Sequence, residues 1–127
     1  MMKKLLVVVA ATLLWGLAIP HGAWSAARAV TINGYVLDSA CAFTKNLKKP
    51  ISPECAVACA KAGSPLVLMS GDGTIYLPIS DATPAQGQNS RLMKFAGKRV
   101  TVTGRVYDRN GAHGLVIEKI VATGQGM

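Results

Sequence analysis

Arg99-Val100-Thr101-Val102-Thr103-Gly104-Arg105-Val106-Tyr107 alternates without interruption: Val100, Val102, Gly104 and Val106 point one way, Arg99, Thr101, Thr103, Arg105 and Tyr107 the other. A period of two is the signature of a strand with one buried face. Asp108-Arg109-Asn110-Gly111 follows, and Asn-Gly tolerates the mirror-image turn that matches strand twist, so residues 115–121 are the returning strand of a hairpin.

The same reading extends towards the N-terminus. Val30, Ile32, Gly34 and Val36 alternate with Thr31, Asn33 and Tyr35, and this strand ends near Asp38. Residues 39–52 lose all periodicity and bring in Lys45, Lys48, Lys49 and Pro50, which predicts an exposed basic loop. Ser52 then suits a helix cap, Pro53 the first helical position and Glu54 the positive end of the helix dipole. Gly63 closes that helix. Strands over 65–70 and 74–80 are joined by the tight turn Gly71-Asp72-Gly73, and Pro78 predicts an edge or a bulge. A polar loop over 81–89 leads to a short helix over 90–96, stopped by Gly97.

The fold class is therefore mainly β with two short helices, in the order β-α-β-β-α-β-β. That is the order of a five-stranded OB-type barrel, and Gly34 and Gly104 fall where strongly coiled strands need a missing side chain. A small open sandwich fits the same strings; the barrel is the expected architecture.

Residues 1–27 have the three parts of a secretory signal: Lys3 and Lys4, an apolar stretch from Leu5 to Ile19, then Pro20 and Gly22 ahead of small residues. The apolar run is 15 residues long, whereas a membrane-spanning helix needs about 20. No membrane span is expected after cleavage, and three overlapping small-residue boxes between Ala23 and Ala29 leave the bond open. An acid in Asp38-Ser39-Ala40 argues against lipidation of Cys41. The expected division is a signal peptide over 1–27, one OB-type domain over 28–122 and a frayed tail over 123–127, with a periplasmic or secreted location. Cleavage would leave 12 basic against 6 acidic side chains, a net charge of +6. Such a balance favours anionic partners, including membrane surfaces, but no basic run exceeds two residues, which reads as an ordinary solvated basic surface.

Three cysteines, Cys41, Cys55 and Cys59, stand in this exported chain. An odd count outside the reducing cytosol implies either a metal cluster or one unpaired thiol. Cys55 and Cys59 are four apart on a predicted helix, so their sulfurs share a face but are not oriented for a bridge to each other. If a disulfide forms, Cys41 is the partner, and closing the loop contributes about 3 kcal/mol in the chain-entropy model. Alternatively the three sulfurs form three corners of a tetrahedron around a soft cation, zinc or copper(I). His113, the single histidine after residue 27, is the candidate fourth ligand, because the loops after strands one and four approach each other in an OB barrel, with Asp38 as the alternative; a solvated imidazole beside the turn is the other reading of His113. A redox-active thiol pair is the third reading.

Tyr35, Tyr76 and Tyr107 fall on faces opposite the predicted core, beside Arg99 and Arg105, as in OB modules that stack single-stranded bases. Export separates the chain from most nucleic acid, so nucleic acid is not the expected partner. Met69 and Met93 read as core filler. No nucleophile is accompanied by a base and an orienting group, so a binding module is expected rather than an enzyme.

Three stretches, Gly34-Tyr35-Val36-Leu37-Asp38-Ser39-Ala40-Cys41, Glu54-Cys55-Ala56 through Cys59 to Gly63, and Ala96-Gly97-Lys98-Arg99-Val100-Thr101-Val102-Thr103-Gly104, resemble those of a group of small exported bacterial OB-like proteins. The resemblance spans nearly the whole domain and implies an OB-type barrel with the three cysteines as one unit. It brings no established activity. Members of that group often carry a histidine just ahead of the helical cysteines, where this chain has Ile51-Ser52-Pro53. The reading is an exported binding module centred on three cysteines. Its alternative is a disulfide-stapled domain that binds a protein or anionic ligand through the loops after strands one and four.

Overall fold

In the computed structural model, which describes residues 26–45 and 51–124, five strands close into a barrel. They are β1 (Arg28–Asp38), β2 (Leu66–Ser70), β3 (Ile75–Pro78), β4 (Arg99–Arg109) and β5 (Ala112–Gly124). Their order around the barrel is β1-β2-β3-β5-β4. All neighbours are antiparallel except β3 and β5, which close the ring by the parallel pairs Leu77 with Gly114 and Pro78 with Leu115. This is the expected OB-like architecture. The export signal read over 1–27 lies almost wholly outside the described residues, as do Lys48 and Lys49.

Closure requires β1 and β4 to coil tightly, and two glycines make this feasible. A Cβ on Gly34 would run into the Met69 carbonyl of β2, and one on Gly104 into the Val116 carbonyl of β5. The β4–β5 register shifts between Thr103 and Gly104, the bulge by which a barrel strand turns its corner.

The interior holds Val36, Leu68, Val100, Val102, Val106, Leu115 and Ile117 from the strands. Ala56 and Ala60 of α2 (Pro53–Lys61), with Leu92 and Phe95 from α3 (Asn89–Leu92) and the 3-10 turn Met93–Phe95, join the same core. Asn89 ties these pieces together: its Oδ1 accepts the Leu66 amide at 2.8 Å, and its Nδ2 donates to the carbonyls of Ser64 at 2.9 Å and Ala60 at 3.3 Å. The main chain of Val36 bridges to Ala96, and its carbonyl accepts the Gly97 amide at 2.6 Å.

Three sequence expectations change. Residues 39–44 are not an exposed loop but a helix, α1 (Ser39–Thr44), with Cys41 and Ala42 buried. It forms because Asp38 caps it and because the outer face of β1 and β2 has apolar surface to cover. Leu37 and Val67 are cross-strand partners and make a second small core with Ala42, each such side chain stabilising by about 1.5–3 kcal/mol when removed from water. The unbroken apolar runs Val36-Leu37 and Leu66-Val67-Leu68 were the signal, since a strand covered on both faces loses its alternation. Second, β5 runs to Gly124, so Thr123 and Gly124 of the expected frayed tail belong to the strand, Gly124 opposite Arg99 and Thr123 at an irregularity in the β4–β5 register. Third, Tyr76 does not stand free on the outer face: it packs against the main core.

Candidate metal centre

The three cysteines arrive from two helices. Asp38, the last residue of β1, is the N-cap of α1, and its Oδ2 accepts the amide of Cys41 at 3.1 Å. This places Cys41 in the first turn, buried. Ser52 caps α2 in the same manner, its hydroxyl accepting the Cys55 amide at 3.2 Å, with Pro53 and Glu54 in the first turn as the sequence predicts. Cys55 is exposed and Cys59, one turn on, is half-buried. Burial of Ala56 and Ala60 in the barrel core sets the rotation of α2, which leaves the two cysteines on the flank that faces α1.

A polar clasp fixes the distance between the helices. Ser64, just beyond α2, donates its hydroxyl to Asp38 Oδ2 at 3.2 Å, and the Ser39 amide donates to the Pro65 carbonyl at 2.8 Å. As a result the sulfurs of Cys41, Cys55 and Cys59 all lie within 4.8 Å of one another. All three are free thiols, and no disulfide joins them.

The electrostatics are dominated by Asp38, which is wholly buried. Burial pushes its carboxyl up, but donors from the Cys41 side chain and amide and from Ser64 outweigh this and hold it below the ordinary value. The carboxylate in turn pushes the Cys41 thiol up to about 12, with burial adding to the effect. Cys59 is raised by burial first and by the Asp38 charge second. In the free protein these sulfurs therefore carry protons, which a bound cation has to displace. Three sulfurs of this softness suit zinc or copper(I).

His113 is placed elsewhere. It lies at the β4–β5 turn with Nδ1 2.5 Å from Asp108 Oδ1 and its ring 5.6 Å from that of Tyr76, so it is not among the side chains whose ligand atoms converge. The loops do approach each other: Phe43 of α1 and His113 line one surface groove with Thr74, Ile75, Leu77 and Asn110. Phe43, however, is two residues beyond Cys41, on another face of α1. Loop proximity alone therefore does not carry the imidazole to the sulfurs.

Arg99 donates to the Tyr35 hydroxyl and lies 5.0 Å from its ring centre. Met69 and Met93 pack against the two cores as filler. Ser64 and Asn89 escaped the sequence reading, because isolated polar residues in loops carry no periodicity. The spacing Asp-x-x-Cys was the available sign of the Asp38 cap, since an N-cap side chain reaches the amide three residues on. No helix among the described residues is long and apolar enough to cross a membrane. Comparison with family models, curated proteins and solved structures yields no match to this chain.

Proposed function

We propose that this chain is a small exported binding module that holds one soft metal ion, zinc or copper(I), on Cys41, Cys55 and Cys59. The observation that carries the reading is the convergence of three sulfurs within 4.8 Å. They come from two separate helices and are held there by caps and a serine clasp rather than by a covalent bond. Export to the periplasm or beyond, and kinship with the exported OB-like group, belong to the same proposal. Their support is the charged, apolar and small-residue sequence of 1–27.

The test is thiol titration and metal analysis of the natively exported protein. Stoichiometric metal before chelation and three titratable thiols after it are expected. One titratable thiol and no metal would replace the centre with a disulfide and a spare cysteine, and the chain would then be a stapled interaction domain.

A further inference from the structure

We infer that Asp38 is the fourth ligand of this centre, through Oδ1, and that the resulting set of three sulfurs and one oxygen takes zinc. The inference rests on the metal reading above and deepens it. Asp38 is the one fully buried charged side chain among the described residues. Its two oxygens are used unequally. Oδ2 accepts both the Cys41 amide and the Ser64 hydroxyl, which pins the carboxylate, while Oδ1 is buried with no hydrogen-bond partner.

A buried carboxylate oxygen left without a donor or a cation is costly. The ion pairs of the described residues lie elsewhere, at Asp108, Asp81 and Glu118. What does adjoin Asp38 is the cysteine group: it caps the helix whose first turn carries Cys41, and through Ser64 it is tied to the end of the helix that carries Cys59. A divalent cation among the sulfurs would offset the cost of Oδ1 more fully than the weak thiol donor of Cys41 does. The carboxylate now lies outside the 4.8 Å group of sulfurs, so with the carboxylate pinned, ligation requires the cysteine side chains to turn towards Oδ1 as the metal arrives.

The oxygen also discriminates between metals. Copper(I) is served by soft thiolates and gains little from a hard carboxylate. Zinc accepts sulfur and oxygen together and prefers four ligands in a tetrahedron. With three cysteines alone the site fits either ion; with Asp38 it becomes a complete zinc site built from one chain.

Asp38→Asn separates this role from helix capping, because the asparagine carbonyl can still accept the Cys41 and Ser64 donors while the ligating oxygen is lost. Zinc and copper(I) are titrated separately into the chelated full chain. For the variant, zinc affinity is expected to fall at least about 10-fold relative to copper(I) affinity, since easier deprotonation of Cys41 helps both ions alike, and the metal-free protein is expected to stay folded. Zinc and copper(I) affinities that move together would make Asp38 a cap and nothing more, overturning the inference while leaving the three-sulfur centre intact. Binding of neither metal by the parent chain would overturn both. Should the variant fail to fold, infrared difference spectra of the parent chain decide: one equivalent of zinc should shift a carboxylate stretch, and an unmoved band overturns the assignment.

Discussion

Asp38 and Cys41 occupy one helical turn in two capacities: the carboxylate accepts the Cys41 amide at 3.1 Å, and its hydrogen bond to the Cys41 thiol, with burial and then its charge, pushes that thiol up to about 12. The group that builds the helix thus also keeps its cysteine protonated until a cation replaces the proton. Cys55, on the helix capped by Ser52, is exposed where Cys41 is buried.

Alkylation should read that difference directly. Reactivity follows thiolate fraction and access, so in metal-free protein at pH 8 iodoacetamide should label Cys55 first and Cys41 last. Peptide mass spectrometry gives the order, and equal labelling of Cys41 and Cys55 would contradict the burial and the carboxylate contact.

Metal affinity should rise with pH. The raised Cys41 and Cys59 thiols carry protons in the free protein, and ligation releases them, so acid favours the metal-free state. Zinc titrations at pH 6 and pH 8 should differ by well over 10-fold, on the order of one decade per proton released per pH unit. A flat profile would mean that thiolates are not the ligands.

Asn89→Ala should destabilise the domain by about 1–3 kcal/mol, because it strands the Leu66 amide and removes a donor from the Ala60 and Ser64 carbonyls. Urea denaturation measures the loss. It should also loosen the end of α2 that bears Cys59, lowering metal affinity in parallel, whereas unaltered stability would show that the Asn89 clip is dispensable.

Gly104→Val places a branched side chain against the Val116 carbonyl at the β4–β5 bulge. Overpacking of this kind costs about 1–3 kcal/mol, and a barrel corner offers little room to relax. A melting temperature equal to the parent's would show that closure does not depend on that close approach.

Asp108 predicts an acid dependence. His113 first, then Arg28, hold its carboxyl below the ordinary value of 3.8. The folded state therefore binds this proton less readily than the unfolded chain. Stability from the interaction is present above 3.8 and is lost as pH falls through the depressed folded value. Asp108→Asn should be less stable than the parent at pH 6, with the gap closing by pH 2. A gap independent of pH would show that charge plays no part.

Much of this was readable locally. The alternation around Val100 and Val102, the Asn-Gly turn and the Ser52-Pro53-Glu54 start of α2 are each decided within a few residues, and each lies where the sequence places it. The helix over Ser39–Thr44 was hidden because its cap, Asp38, is satisfied partly by Ser64, 26 residues away, and because the surface it covers comes from Leu37 and Val67 on two strands.

What the sequence by itself determined is the identity of the donors and the faces on which they ride: sulfurs one turn apart at Cys55 and Cys59, and an acid three residues ahead of Cys41. Periodicity and capping are properties of neighbouring residues, so they survive without a fold. Only the tertiary structure decided that Cys41 meets the other two while His113 turns to Asp108. Those distances depend on how barrel closure and two alanines buried on α2 orient segments that share no local signal.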